Sequence, residues 1–221
     1  MIRVGAPIWL GLRFESLPLE IIEHDGGRPL AVVEQQRVFL SNHDAIEPGI
    51  AIATAHALVA NLVAVSRDPQ GEHQALQDLA LWAYQVTPAV TVADDNSLLL
   101  EIGSCRQLYG NLSQLLARIQ AALAQRGHSV LMGLAHTPKA AWLLAQWGPA
   151  PALREGGGID SKVLQQQLAM VPVPALPVDA KVRTRFQHMG IETLGRVLGF
   201  DHAVLGKRFG AECIRYLQQS R

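Results

Sequence analysis

The residues with the greatest chemical potential are a few carboxylates beside short apolar stretches. Glu15 follows the run 8–12, Asp94 and Asp95 separate the runs 89–92 and 98–102, and Glu101 stands inside the second of these. Acids at strand ends can hold two Mg²⁺ ions about 3.5–4 Å apart for in-line phosphoryl transfer. The pattern is incomplete here. The first run reads Trp9, Leu10, Gly11, Leu12, Arg13, without an acid before Glu15, and the Asp-Asp pair is followed by Asn96 and Ser97, a combination that suits a turn. Other reactions lack their motifs: there is no GxSxG, GxxxxGK[ST] or HExxH, and the eight histidines are scattered without ligand-like grouping. The glycines at 156–158 have neither a preceding strand nor a following Lys-Ser/Thr, so they read as a flexible linker rather than a phosphate loop. Cys105 and Cys213 have no CxxC neighbour and read as free buried thiols.

The elements that would position these groups follow from periodicity. Strand patterns are expected over 8–12, in two pieces within 29–40 around Gln35 and Gln36, and over 89–92, 98–102 and 130–135. Helical spacing is expected through the Ala-rich stretch after Gly49, over 72–85, 112–125 and 139–146, with Trp82, Tyr84, Trp142 and Trp147 read as packing residues. The resulting order is β, insertion, α, β, β, α, β. That is the split βαβ of a ferredoxin-like sheet, with two helices on one face and the other face free. The stretch 148–160 reads as a Gly/Pro-rich linker and 170–178 as an extended connector, leaving a small helical domain at the end.

Composition gives a globular chain, 49% hydrophobic, with 19 basic and 19 acidic residues and no net charge. The charge is unevenly placed: residues 171–221 carry eight Lys/Arg against four Asp/Glu, net +4, so phosphate contacts are expected at that end. There Phe186, Met189, Gly190, Ile191, Thr193, Leu194 and Val197 have the spacing of a helix-hairpin-helix. Gly190 permits the tight turn, and free N–H groups at the next helix start can hold a phosphate. The candidate DNA-backbone contacts are therefore Gly190, Ile191, Thr193, Arg196, Lys207 and Arg208, with Arg183 and Arg185 nearby. An ordinary αα-hairpin is the alternative. No apolar run approaches a membrane span and no signal peptide is evident, so a cytoplasmic protein is expected.

Three phrases in this order, TPAVTVADDNSLLLEIGSCRQLYGN, GLAHTPKAAWLLA and MGIETLGRVLGFDHAVLGKRFG, together with the order of strands and helices, resemble the UmuC-like Y-family DNA polymerases, most closely their catalytically inactive, ImuB-like branch. The resemblance implies an α+β fold: a ferredoxin-like palm at 1–17 and 71–147 with inserted fingers at 18–70, a linker at 148–160, and an all-α helix-hairpin-helix thumb at 161–221. In active members the first strand carries Asp-x-Asp-x-Phe-Phe and a later Glu. With that Glu on Glu20, the aspartates fall on Gly11 and Arg13, and the aromatic that excludes ribonucleotides falls on Ser16. The Asp and Glu of the hairpin motif fall on Asn96 and Ser97; a slip of two residues would instead bring Asp94 and Asp95 there. The Tyr and Arg that hold the incoming triphosphate fall on His43 and Ile46, and the palm lysine falls on Trp142.

The resemblance thus implies a lost Mg²⁺ site, no cofactor, and a non-catalytic adaptor in damage-induced translesion synthesis, associated with the nucleoid. It binds the DNA backbone weakly and without sequence preference. Its implied partners are a sliding clamp, a RecA-like accessory protein and an error-prone replicative-type polymerase, engaged mostly through regions that such proteins carry beyond the thumb, where this sequence ends. Two alternatives stand beside this reading: a divergent polymerase using Glu15, Asp94, Asp95 or Glu101 as substitute ligands, and a simple DNA-binding module in which only the helix-hairpin-helix matters.

Overall fold

A computed structural model describes residues 7–23, 27–94, 96–155 and 158–199. The N-terminal elements are β1 (Trp9–Arg13), α1 (Leu17–Glu20), β2 (Leu30–Glu34), β3 (Arg37–Ser41), α2 (Ile52–Leu58), β4 (Val63–Ser66) and α3 (Pro69–Ala83). There follow β5 (Val90–Ala93), β6 (Ser97–Glu101), a 3₁₀ turn at Arg106–Tyr109, α4 (Leu112–Ala124), β7 (Leu131–Ala135) and α5 (Pro138–Trp147). The chain continues through β8 (Leu153–Arg154), β9 (Gly158–Ile159), α6 (Ser161–Met170), a 3₁₀ turn at Val173–Ala175, α7 (Ala180–His188) and α8 (Leu194–Leu198).

The main sheet has the order β5-β6-β1-β7 with every neighbouring pair antiparallel, the ferredoxin-like arrangement. Side chains alternate across it, so Leu10, Leu12, Leu98 and Leu100 share one face and are fully buried. α3 and α4 close that face with Leu76, Leu79, Leu115 and Ile119 in the same core. Local chemistry sets where these helices start: Asp68 accepts the Gly71 N–H at 3.0 Å ahead of Pro69, and Asn111 accepts the Gln114 N–H at 2.9 Å.

The opposite face is not wholly free, contrary to expectation, because α5 lies across β1 and β7. The approach is possible because Gly11 and Gly133 are register partners there. A Cβ on Gly11 would stand 2.5 Å from the Ala141 carbonyl oxygen, and one on Gly133 would run into the backbone of Ala141 and Ala145. Over β5 and β6 the face stays open as a groove.

β2, β3 and β4 form a separate sheet of order β3-β2-β4, with β2 and β4 parallel, over a small core of Ala31, Val38, Ile46, Ala55, Val59 and Leu62. Gln35 and Gln36 make the β2–β3 turn at φ 49° and 62°. The expected long helix after Gly49 is therefore shorter: it ends at Leu58, Asn61 reverses the chain at φ 64°, and Val63 to Ser66 pairs with β2. The expected linker contains the β8–β9 hairpin, and the expected extended connector contains a 3₁₀ turn whose Val173 is fully buried. Val171, Leu176, Phe186, Ile191, Leu194 and Val197 join Val173 in packing the C-terminal helices. Tyr84 and Trp147, expected as packing residues, are exposed, and Cys105, expected to be buried, is half-buried and in no disulfide among the described residues. Cys213 lies outside the described residues.

Candidate functional site

The candidate site lies where β1 and β6 run side by side. Their register sets Gly11 beside Leu99 and Arg13 beside Ser97, and alternation turns all four toward the face that α5 shares. Ser97 is fully buried and its Oγ accepts from Gln146 Nε2 at 3.2 Å. Arg13 Nη1 donates to the Gln146 carbonyl at 3.3 Å and stands 3.9 Å from Glu15 Oε2, while its buried Nε has no hydrogen-bond partner among the described residues. Asn96, in the turn at φ 50°, donates from Nδ2 to Glu72 Oε2 at 3.3 Å. Glu72 is buried and is met by Arg67, whose pKa these hydrogen bonds hold above its ordinary value. Trp142 Nε1 donates to the Asp94 carbonyl at 3.3 Å. Asp95 lies outside the described residues.

This donor set does not fit a pair of divalent cations. Two Mg²⁺ ions need several anionic oxygens on one side of the sheet, and the positions that the resemblance assigns offer a glycine, an amide, a hydroxyl and a guanidinium. The space a side chain at position 11 would need is taken by the Ala141 carbonyl. Among the described residues, no three of His, Cys, Asp or Glu converge closely enough to hold a metal. The substitute acids are committed or dispersed. Glu101 accepts from the N–H groups of Ile8, Gly103 and Ser104 and from the Ser104 hydroxyl. Burial pushes its carboxyl up, but those hydrogen bonds outweigh it and hold the pKa below its ordinary value. Glu15 faces Arg13, and Asp94 sits at the rim of the open groove.

That groove, of about 830 Å³, is lined by Val92, Leu99, Thr137, Lys139, Trp142 and Pro177 among others. Burial holds the Lys139 pKa below its ordinary value. Of the three positions matched to triphosphate contacts, Trp142 lines this groove, and the other two do not reach it. Ile46 is buried in the core of the small sheet, and His43 uses Nδ1 to accept the Ala45 N–H at 3.2 Å.

In the C-terminal helices Gly190 has φ 66°, as its place in the turn demands, and its carbonyl accepts from Arg196 Nη1 at 3.1 Å. Ile191 is buried, so its side chain serves the core, and its N–H is already used by the Phe186 carbonyl at 2.9 Å. Thr193 precedes α8 without a side-chain cap bond, and the Leu194 N–H is already used by the Val171 carbonyl at 2.8 Å. Arg183 folds back to the Pro174 carbonyl at 3.3 Å. Lys207 and Arg208 lie outside the described residues. Sequence reasoning missed Arg67, Glu72 and Gln146. Their partners are brought in by the tertiary fold, and the one signal present was an acid in the first turn of a helix, five residues after an arginine.

Comparison with known proteins agrees with this architecture. The model of the IMS family, impB/mucB/samB, matches residues 23–146. Protein ImuB of two Caulobacter vibrioides strains is 32% identical over 173 residues, which is 78% of this chain. The chain spans 37% of the length of those curated relatives. Among solved structures, a post-insertion binary complex of Dbh DNA polymerase superposes with a TM-score of 0.72 at 18% identity, covering 97% of this chain and 67% of that one. DinB from Sulfolobus solfataricus does so with a TM-score of 0.69 at 19% identity, covering 96% and 66%. Likeness at this level of identity establishes the fold alone. The family match spans more than half of the sequence, and the chain accordingly belongs to the impB/mucB/samB, UmuC-like family and has the α+β fold of the Y-family polymerases.

Proposed function

We propose that this chain is the polymerase-shaped part of a non-catalytic adaptor in damage-induced translesion synthesis. One observation carries the reading: the positions that the resemblance assigns to metal ligands hold Gly11, Asn96 and Ser97, and the space beside Gly11 is filled by the Ala141 carbonyl. Arg13, two residues along the same strand, adds a positive charge where a metal would need negative ones.

In this reading the C-terminal helices meet the DNA backbone and read no bases, through the turn at Gly190, the start of α8 at Thr193, and Arg196, with Lys207 and Arg208 beyond. Binding is weak because the whole chain has no net charge. The likeness to protein ImuB and to the wider family supplies the proposed partners: a sliding clamp, a RecA-like accessory protein and an error-prone replicative-type polymerase. Those contacts are assigned mostly to sequence beyond the thumb. No described helix is long and apolar enough to cross a membrane, which accords with a role on DNA in the cytoplasm.

Primer extension tests the reading. The chain, a primer–template and all four triphosphates with Mg²⁺ or Mn²⁺ should give no extension above a protein-free control. Extension that disappears in Asp94→Ala would overturn the proposal in favour of a polymerase with substitute ligands.

A further inference from the structure

Glu72 is a buried carboxylate that the proposed function does not use. It sits in the first turn of α3 at 3% exposure, and a carboxylate taken out of water needs charge and hydrogen bonds in return. These arrive from two directions. Arg67, just after β4, meets it bidentately, Nε to Oε1 at 2.7 Å and Nη2 to Oε2 at 2.9 Å. Asn96, in the turn between β5 and β6, donates to Oε2 at 3.3 Å.

The same guanidinium reaches the three-stranded sheet. Its Nη1 lies 3.4 Å from Glu34 Oε1 at the end of β2, and its Cζ stands 3.8 Å from the ring centroid of Phe39 on β3. The Arg67 N–H donates to the Val33 carbonyl at 2.9 Å, so backbone and side chain hold the same junction. One guanidinium and one carboxylate thus connect the small sheet to α3 and to the β5–β6 turn of the main sheet.

We propose that Arg67, Glu72 and Asn96 form a conformational clamp that fixes the three-stranded sheet in a single orientation on the main sheet. Position 96 completes it. An amide there can donate to Glu72, whereas a carboxylate would meet Glu72 as a like charge, so the residue that removes an acid from the candidate site is also the one that closes the clamp. The clamp stands on its own contacts and holds whether or not the chain extends primers.

Spin-label distances test it on the whole chain. Glu47→Cys in the exposed loop after β3 and Gln125→Cys after α4 carry the labels, in a Cys105→Ser, Cys213→Ser background. With the clamp intact the distance distribution is one narrow peak. Glu72→Gln, which keeps shape and removes charge, and Asn96→Asp, which adds a like charge, should each lose that peak to a broad or double distribution while circular dichroism still reports a folded chain. Should Glu72→Gln fail to fold, Asn96→Ala, which leaves the Arg67–Glu72 pair in place, is expected to broaden the peak on its own. A single narrow peak retained by the folded Asn96 variants would overturn the proposal, and would leave these contacts as ordinary packing.

Discussion

Gly11→Ala offers the sharpest stability test of how the candidate site is built. The added Cβ would stand 2.5 Å from the Ala141 oxygen, 2.8 Å from its carbonyl carbon and 3.2 Å from the Ala145 Cβ. Two of these are backbone atoms of α5, and the helix cannot retreat locally because it also sits against Gly133. Overpacking of this kind costs about 1–3 kcal/mol, and the lower entropy of the unfolded alanine chain returns roughly 0.4–1 kcal/mol. Because the obstructing atoms are backbone at 2.5 and 2.8 Å, the overpacking falls at about 2–3 kcal/mol, and the net loss of about 1–2.5 kcal/mol lowers the melting temperature by roughly 2–10 °C in a chain of this size. Thermal unfolding followed by circular dichroism measures it. Gly158→Ala is the control, since a Cβ there meets only Arg154 side-chain carbons at 3.8 Å, and it should leave the midpoint unchanged or raise it. Gly11→Asp meets the same obstruction with a larger group, and Mg²⁺ should not raise its melting temperature. If Gly11→Ala melts with the wild type, or if Mg²⁺ stabilises Gly11→Asp, the argument that α5 excludes a ligand at this position fails.

Ser97→Ala removes the acceptor of Gln146 Nε2 in a buried place and should cost about 1–2 kcal/mol, read from denaturant midpoints at unchanged slope. Phe186→Ala empties the fully buried centre of the C-terminal helices and should cost about 3–5 kcal/mol, with hydrogen exchange rising in α7 and α8 before the main sheet. Glu101 is held below its ordinary pKa, so its contribution to stability is present above its unfolded value and is lost as pH falls through its folded value. Glu101→Gln should therefore show a shallower loss of stability on the acid side of the carboxylate range than the wild type, and an identical acid profile would contradict the assigned hydrogen bonds.

Local patterning was enough to reveal the main sheet. The apolar run at 98–102, the Asn111 and Thr137 caps and the Gly148 helix end, at φ 73°, all encode structure within a few residues of themselves. What escaped depends on partners distant in sequence. Ala-rich residues after Gly49 look helical throughout, and Val63 to Ser66 becomes a strand because β2 lies parallel to it some thirty residues earlier. The packing of α5 on the second face rests on Gly11 and Gly133, whose smallness gains meaning only once β1 and β7 are neighbours. Neutral residues at 96 and 97 were legible at once in the sequence. Their new engagements with Glu72 and Gln146, respectively 24 residues and 49 residues away, were not.

In the proposed reading the polymerase-like site does not assemble a metal and triphosphate. Calorimetry measures this directly, titrating Mg²⁺ and a non-hydrolysable triphosphate into the folded chain bound to a primer–template. No metal-dependent heat of binding is expected, and saturable Mg²⁺-dependent triphosphate binding would refute the non-catalytic reading.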